Sequence, residues 1–148
     1  MHKQDKQQHK PLVGWREWAA LPELGIDVIK AKIDTGARTS ALHAFALDVA
    51  MDKGVRTARF GVHPLQHERT TEIWCQAPVV DERNVRDSGG HQERRIVIAT
   101  QLRLGVREWP VELTLTARDN MLFRMLVGRT ALRGMRVDPA LSFVTSKP

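Results

Sequence analysis

Cysteine is almost missing from this chain: one thiol, Cys75, stands among 148 residues. No disulfide can form within the molecule, as expected of a protein that works in the reducing cytosol. Tyrosine is absent, and the other aromatics, four Trp and four Phe, are scattered rather than grouped into the platforms on which single-stranded nucleic acid stacks. Zinc-finger spacing is lacking too, so nucleic acid is not the expected partner. No segment approaches the roughly 18 apolar residues that cross a bilayer. The opening MHKQDKQQHK has no apolar run, and reads as a disordered polar tail over 1–10 rather than as a signal peptide or an anchor. The expectation is one domain over 11–148, a cytoplasmic location and no membrane contact.

Missing chemical motifs narrow the function further. A phosphate-cradling GxxxxGK[ST] loop does not occur, and Gly128-Arg129-Thr130 lacks both the earlier glycine and the lysine. The HExxH pair of zinc peptidases is also absent. His63 and His67 stand four apart in HPLQHE, but Pro64 falls between them and no third ligand is evident, so they read as solvated loop histidines. Ser40 and His43, three apart in a strand-like run, face opposite sides and do not make a nucleophile and base. Cys75 lies beside Trp74 in an apolar run, where a thiol serves packing. Neither a metal nor a cofactor is expected.

What the chain has in plenty is positive charge and short apolar alternation. Its 23 Lys plus Arg against 17 Asp plus Glu leave a formal +6, which favours acidic partners through long-range attraction. The length suits a single core. Strand signals dominate: Leu12 to Leu21, then a Pro22–Gly25 break, then Ile26 to Ile33, whose Ile26, Val28 and Ile33 alternate with charged residues while Ile29 and Ala31 fall out of phase. Ser40 to Val49 and Val55 to Val62 are further strands. Ile73 to Leu104 reads as a hairpin whose polar connection, Asp81 to Glu93, forms a mobile tip. Trp109 to Thr116 alternates cleanly, with Val111, Leu113 and Leu115 on one face and Glu112, Thr114 and Thr116 on the other. Met121 to Val127 ends at Gly128, and Arg129 to Arg133 then offers a helical turn closed by Gly134. An all-β, barrel-like domain is the economical reading.

One acid is placed unusually. In IDTGARTSALH, Ile33 to His43, an apolar strand delivers Asp34 into a Thr35-Gly36 turn. Glycine permits an uncommon backbone angle, and the threonine hydroxyl can brace the loop by a hydrogen bond. From the tripeptide alone two readings stand: a carboxylate held rigidly for chemistry, or an Asp that merely accepts turn hydrogen bonds.

A resemblance adds to this. The segment DTGA after an apolar strand, with the later Met125-Leu126-Val127-Gly128-Arg129, resembles the catalytic loop and the hydrophobic-Gly segment of retropepsin-like aspartic peptidases. AKIDTGARTSALHA, WPVELTLTARDNM and FRMLVGRTAL look like the bacterial family labelled ATP-dependent zinc proteases, associated with the RimK-type glutamate ligase, over about residues 12 to 146. What the resemblance implies is an all-β, closed retropepsin-like barrel with one short C-terminal helix, Asp34, Thr35 and Gly36 as the catalytic triplet, and an aspartic mechanism. The Asp81–Glu93 hairpin would be a flap, and Arg129 would pair with an acid near the active loop. Substrates would be acidic peptides, such as glutamate-rich tails on a ribosomal protein. Lys32 and Arg38 beside the loop, with Arg94 and Arg95 on the hairpin, would bind their carboxylates.

An aspartic mechanism needs two carboxylates sharing a proton, and this chain has one DTG. The other Asp residues lack a following Thr/Ser-Gly, apart from Asp87-Ser88-Gly89, whose polar setting reads as a turn. A homodimer is therefore expected, one Asp34 from each chain meeting on a two-fold axis. The rival readings are a basic module that binds acidic peptides without cleaving them, and a zinc-dependent protease as the label states.

Overall fold

A computed structural model describes residues 10–86, 89–117 and 122–148; the tail expected over 1–10 lies, apart from Lys10, outside the described residues, as do Asp87 and Ser88. Among the described residues eleven strands follow one another: β1 Leu12–Val13, β2 Arg16–Leu21, β3 Ile26–Asp34, β4 Ser40–His43, β5 Ala46–Asp52, β6 Val55–Val62, β7 Ile73–Arg86, β8 Gln92–Leu104, β9 Arg107–Thr116, β10 Met125–Gly128 and β11 Arg136–Val137. Nine form one sheet in the order β2-β3-β10-β4-β9-β8-β7-β6-β5, and β1 pairs with β11 separately. The sheet curls until β2 meets β8, at the single pair Ala20 and Arg103; β5 remains an edge.

The all-β expectation holds, and the helix does not. After β10 the chain makes successive three-residue turns, with the N–H groups of Ala131, Leu132 and Met135 donating to the carbonyls of Gly128, Arg129 and Leu132. That pattern never reaches the i→i−4 ladder of an α-helix, and Gly134 leaves it at φ 79°. Helical structure among the described residues is confined to a 3₁₀ turn at Pro22–Leu24 between β2 and β3, opened by Pro22 and closed by Gly25 at φ 75°.

The phase of β3 also differs from the sequence reading. Ile29, Ala31 and Ile33 point into the core, which leaves Lys30, Lys32 and Asp34 on the opposite face. The cause is a register shift against β2 between Ala19 and Leu21, which resets the alternation after Ile26. The run expected to be one strand from Ser40 to Val49 is two, because β4 is inserted between β10 and β9 and is buried on both faces. In β9 Thr114 and Thr116 are as buried as the leucines, covered by side chains of β8.

Most of the polar connection expected from Asp81 to Glu93 is strand. β7 and β8 stay paired out to Arg86 and Gln92, since the polar residues of this stretch satisfy one another: Glu82 takes Arg56 and Arg94, and Arg83 bonds Asp81 and Glu112. These pairs hold the carboxyls of Asp81 and Glu82 below the usual range, chiefly through the Arg83 bond for the first and the Arg56 bond for the second.

Buried Glu17 ties the two ends of the chain together. Its carboxyl accepts the N–H of Gly14 at 2.7 Å and of Val144 at 2.9 Å on one oxygen, and the N–H and hydroxyl of Thr145, both at 3.0 Å, on the other. Phe143, just before, stacks on Trp18 with centroids 5.2 Å apart. Glu17→Ala strands four donors in the interior, and is expected to lower stability by about 3–5 kcal/mol, read as a lower urea midpoint with an unchanged slope. A midpoint equal to that of the parent chain would contradict this account of the clasp.

Candidate active site

Strand β10 threads between β3 and β4, parallel to the first and antiparallel to the second, with Gly128 opposite Asp34. The chain leaving β3 at Asp34 must therefore pass over the end of β10 to enter β4. Only glycine fits beneath it: a Cβ on Gly128 would lie 2.6 Å from the Thr39 carbonyl carbon and 2.9 Å from the Ala37 oxygen. Approach this close is possible for want of a side chain, and it aligns polar groups. The Arg129 N–H donates to Ala37 O at 2.8 Å, the Thr130 N–H to Arg38 O at 3.3 Å, and the Ala37 N–H back to Asp34 O at 3.2 Å. The Thr130 hydroxyl also bonds Arg38 O.

This scaffold fixes Asp34. Its Oδ1 accepts the Gly36 N–H at 3.1 Å, and the residue is half-buried at the end of β3. Thr35 does not play the bracing part foreseen for it: it is exposed, and bracing comes from Arg129 and Thr130. Arg129 departs from expectation too, since its Nη1 donates to the Gly36 carbonyl at 3.4 Å rather than to an acid. Both are details of tertiary contact, carried by residues 92 and 93 positions apart.

Asp34 opens onto a groove of about 1280 Å³. Lys32, Arg38, Arg129 and Arg133 border it on the loop side, Arg83, Arg86 and Arg95 on the hairpin side, and Trp109, Val111 and Leu126 give it an apolar floor. Among the described residues the lining holds seven basic side chains against two acids, Asp34 and Glu112, so the field there is positive. Lys32 reaches the groove because it lies two residues before Asp34 on the same strand face.

Arg94 and Arg95, grouped together from sequence, part company. Arg94 is outside the groove, its Nε donating to Glu82 at 3.1 Å and its Nη1 to Asn84 at 3.5 Å. Arg95 is 8 % exposed and lines the groove, its Nε on Glu93 at 3.0 Å and its Nη1 on the Thr114 hydroxyl at 3.3 Å. Neighbouring residues of a strand face opposite ways, so the sequence could have separated them had the inward phase of β8 been known.

Of the two histidines expected to be solvated, one is corrected. His63 is buried and stacked on Phe45 with centroids 4.1 Å apart, its Nδ1 3.3 Å from the Thr71 carbonyl; His67 is exposed at φ 64°. Four residues of spacing do not bring them to one helical face. Cys75 is packing material, its thiol pushed up to about 11 by burial.

A family model described as RimB-like, retropepsin-like aspartic endopeptidase RimB, matches residues 12–148. The chain belongs to this RimB-like family. The DTG loop and the Gly128 crossing fall within the matched span. Among curated proteins, probable alpha-L-glutamate ligases from Desulfotalea psychrophila and Parasynechococcus marenigrum are 46% and 49% identical over 89% and 88% of this chain, but over only 29% and 28% of their own length. The chain thus spans under a third of the curated relatives it matches, and the ligase name is that of the longer proteins. A crystal structure of Lpg0085 from Legionella pneumophila, a protein of unknown function, superposes with a TM-score of 0.74 at 28% identity, covering 92% of this chain and 98% of that one.

Proposed function

We propose that this protein is an aspartic endopeptidase, active as a homodimer with one Asp34 from each protomer, that cleaves acidic, glutamate-rich peptides in the cytoplasm, in the setting of ribosomal protein modification. The observation that carries the reading is a rigidly held, half-exposed carboxylate at the mouth of a groove whose other charges are almost all positive. It needs no cofactor. A single carboxylate per chain supplies half of the required pair, which is the ground for the dimer.

In such a pair two carboxyls about 3 Å apart share one proton, because ionising both is costly. The ionised member takes a proton from water as that water attacks the scissile carbonyl, while the protonated member donates to the carbonyl oxygen; a proton then passes to the leaving amine. The two titrate jointly. Lys32, Arg38 and Arg95 would meet substrate carboxylates, and the β7–β8 hairpin would cover the bound chain and exclude water. Ligation of glutamate by the longer relatives is a chemistry that makes glutamate-rich substrates, and the positive groove suits such a product.

Mixing tests the stoichiometry. With total protein held constant, an equal mixture of wild type and Asp34→Asn is expected to retain about a quarter of the cleavage of a glutamate-tailed peptide, as random pairing leaves a quarter of the dimers intact. Half the activity would mean that each chain acts alone, and the dimer would have to be abandoned.

A further inference from the structure

The side chains that line the groove are not equivalent. Lys32 and Arg38 are exposed, free to follow whatever enters. Arg95 is held on two sides, by Glu93 and Thr114, and Glu93 is itself fixed by the Thr116 hydroxyl at 2.8 Å and the Ala117 N–H at 3.4 Å. A guanidinium has five N–H bonds, and these contacts use two. The rest belong to a buried, oriented group in the groove wall.

The Thr114 contact leads elsewhere. While accepting from Arg95, its Oγ1 donates to the Ser40 carbonyl at 3.1 Å, across the parallel pairing of β4 with β9 that sets Ala41 opposite Thr114. Ser40 Oγ in turn accepts the Gly128 N–H at 3.0 Å. Ser40 and Thr114 are 2 % and 1 % exposed, so water does not compete for these bonds. Gly128 is the residue over which the Asp34 loop crosses. Buried hydrogen bonds, joined through the covalent frame of Ser40, therefore run from the groove wall to the underside of the loop that carries Asp34.

Resting on the peptidase reading above, the geometry points to Arg95 as the fixed receptor for a carboxylate of the bound peptide, and to Thr114 as a positioning residue that passes this occupancy through Ser40 to Gly128 and the loop carrying Asp34. The coupling works by order. Two N–H bonds of Arg95 already have partners, and a carboxylate on the others holds the guanidinium still, sharpening its bond to Thr114 and those beyond.

The test uses the whole chain carrying Asp34→Asn, so that a hexaglutamate probe stays intact, and follows amide hydrogen exchange in the segments around Ser40 and Gly128. Peptide at saturation is expected to slow exchange there about tenfold. Thr114→Val, which keeps shape and removes the hydroxyl, should bind the peptide within about threefold of the parent yet lose this slowing, and Thr114→Ser should restore it. Arg95→Lys, which keeps the charge without the fork, should bind about tenfold more weakly. In the cleaving protein Thr114→Val should lower kcat about tenfold with KM nearly unchanged. The proposal is overturned if Thr114→Val transmits the slowing, if the parent binds peptide with no change at the loop, or if it does not bind the peptide. Cleavage failing while the exchange pattern appears would count against the peptidase reading alone.

Discussion

Asp34→Asn is expected to reduce cleavage of an acidic peptide by about 10⁴-fold or more, with the fold and the proposed dimer intact. The structural half of this follows from one contact. Asp34 Oδ1 accepts the Gly36 N–H, an acceptor role that the Asn carbonyl oxygen fills equally well, and the remaining bonds of the loop are made by backbone and by Arg129 and Thr130. What the amide cannot do is share a proton with a second carboxyl or take one from water. Activity should fall in kcat/KM while the thermal midpoint and the sedimentation coefficient stay where they were. Turnover surviving in the variant would remove Asp34 from the chemistry, and a collapsed midpoint would show that the carboxylate was structural.

Much of the Asp34 loop is legible in the sequence because it is local. An apolar strand, an acid, a small hydroxyl residue and a glycine lie side by side in sequence, and Gly128-Arg129 announces the crossing segment. What could not be read is set by partners distant along the chain. The phase of β3 depends on a register shift against β2, and without it Ile29 and Ala31 looked misplaced and Lys32 had no assured face. The separation of Arg94 from Arg95 required the inward side of β8, which Glu93, Thr114 and Thr116 define from another strand. The expected helix failed for want of length: Ala131, Leu132 and Arg133 are good helix formers, but Gly134 turns the chain away at φ 79°, leaving room only for successive i→i−3 turns. The hairpin's long polar run looked like solvent-exposed loop, yet its charges pair across strands and hold the ladder.

Gly128→Ala is expected to damage folding and activity together, because it strikes the same loop. An added methyl would sit 2.6 Å and 2.7 Å from the carbonyl carbon and oxygen of Thr39 and 2.9 Å from Ala37 O. All three are backbone atoms, so no rotamer change relieves the contact. Either β10 withdraws from between β3 and β4, at the cost of ladder bonds and the Gly128 N–H to Ser40 contact, or the loop lifts and gives up the bonds from Arg129 and Thr130. The loss should be about 3 kcal/mol or more, a fall of about 10 °C in thermal midpoint for a chain of this size. Loop lifting is the softer response, because it leaves the core packing of Met125 and Val127 in place. The variant that still folds should therefore show faster amide exchange over 34–40 than over β8 and β9, and lose cleavage beyond what its stability loss explains. An alanine accommodated with midpoint and activity unchanged would mean that the loop does not rest on β10, and that Asp34 is positioned by something other than this crossing.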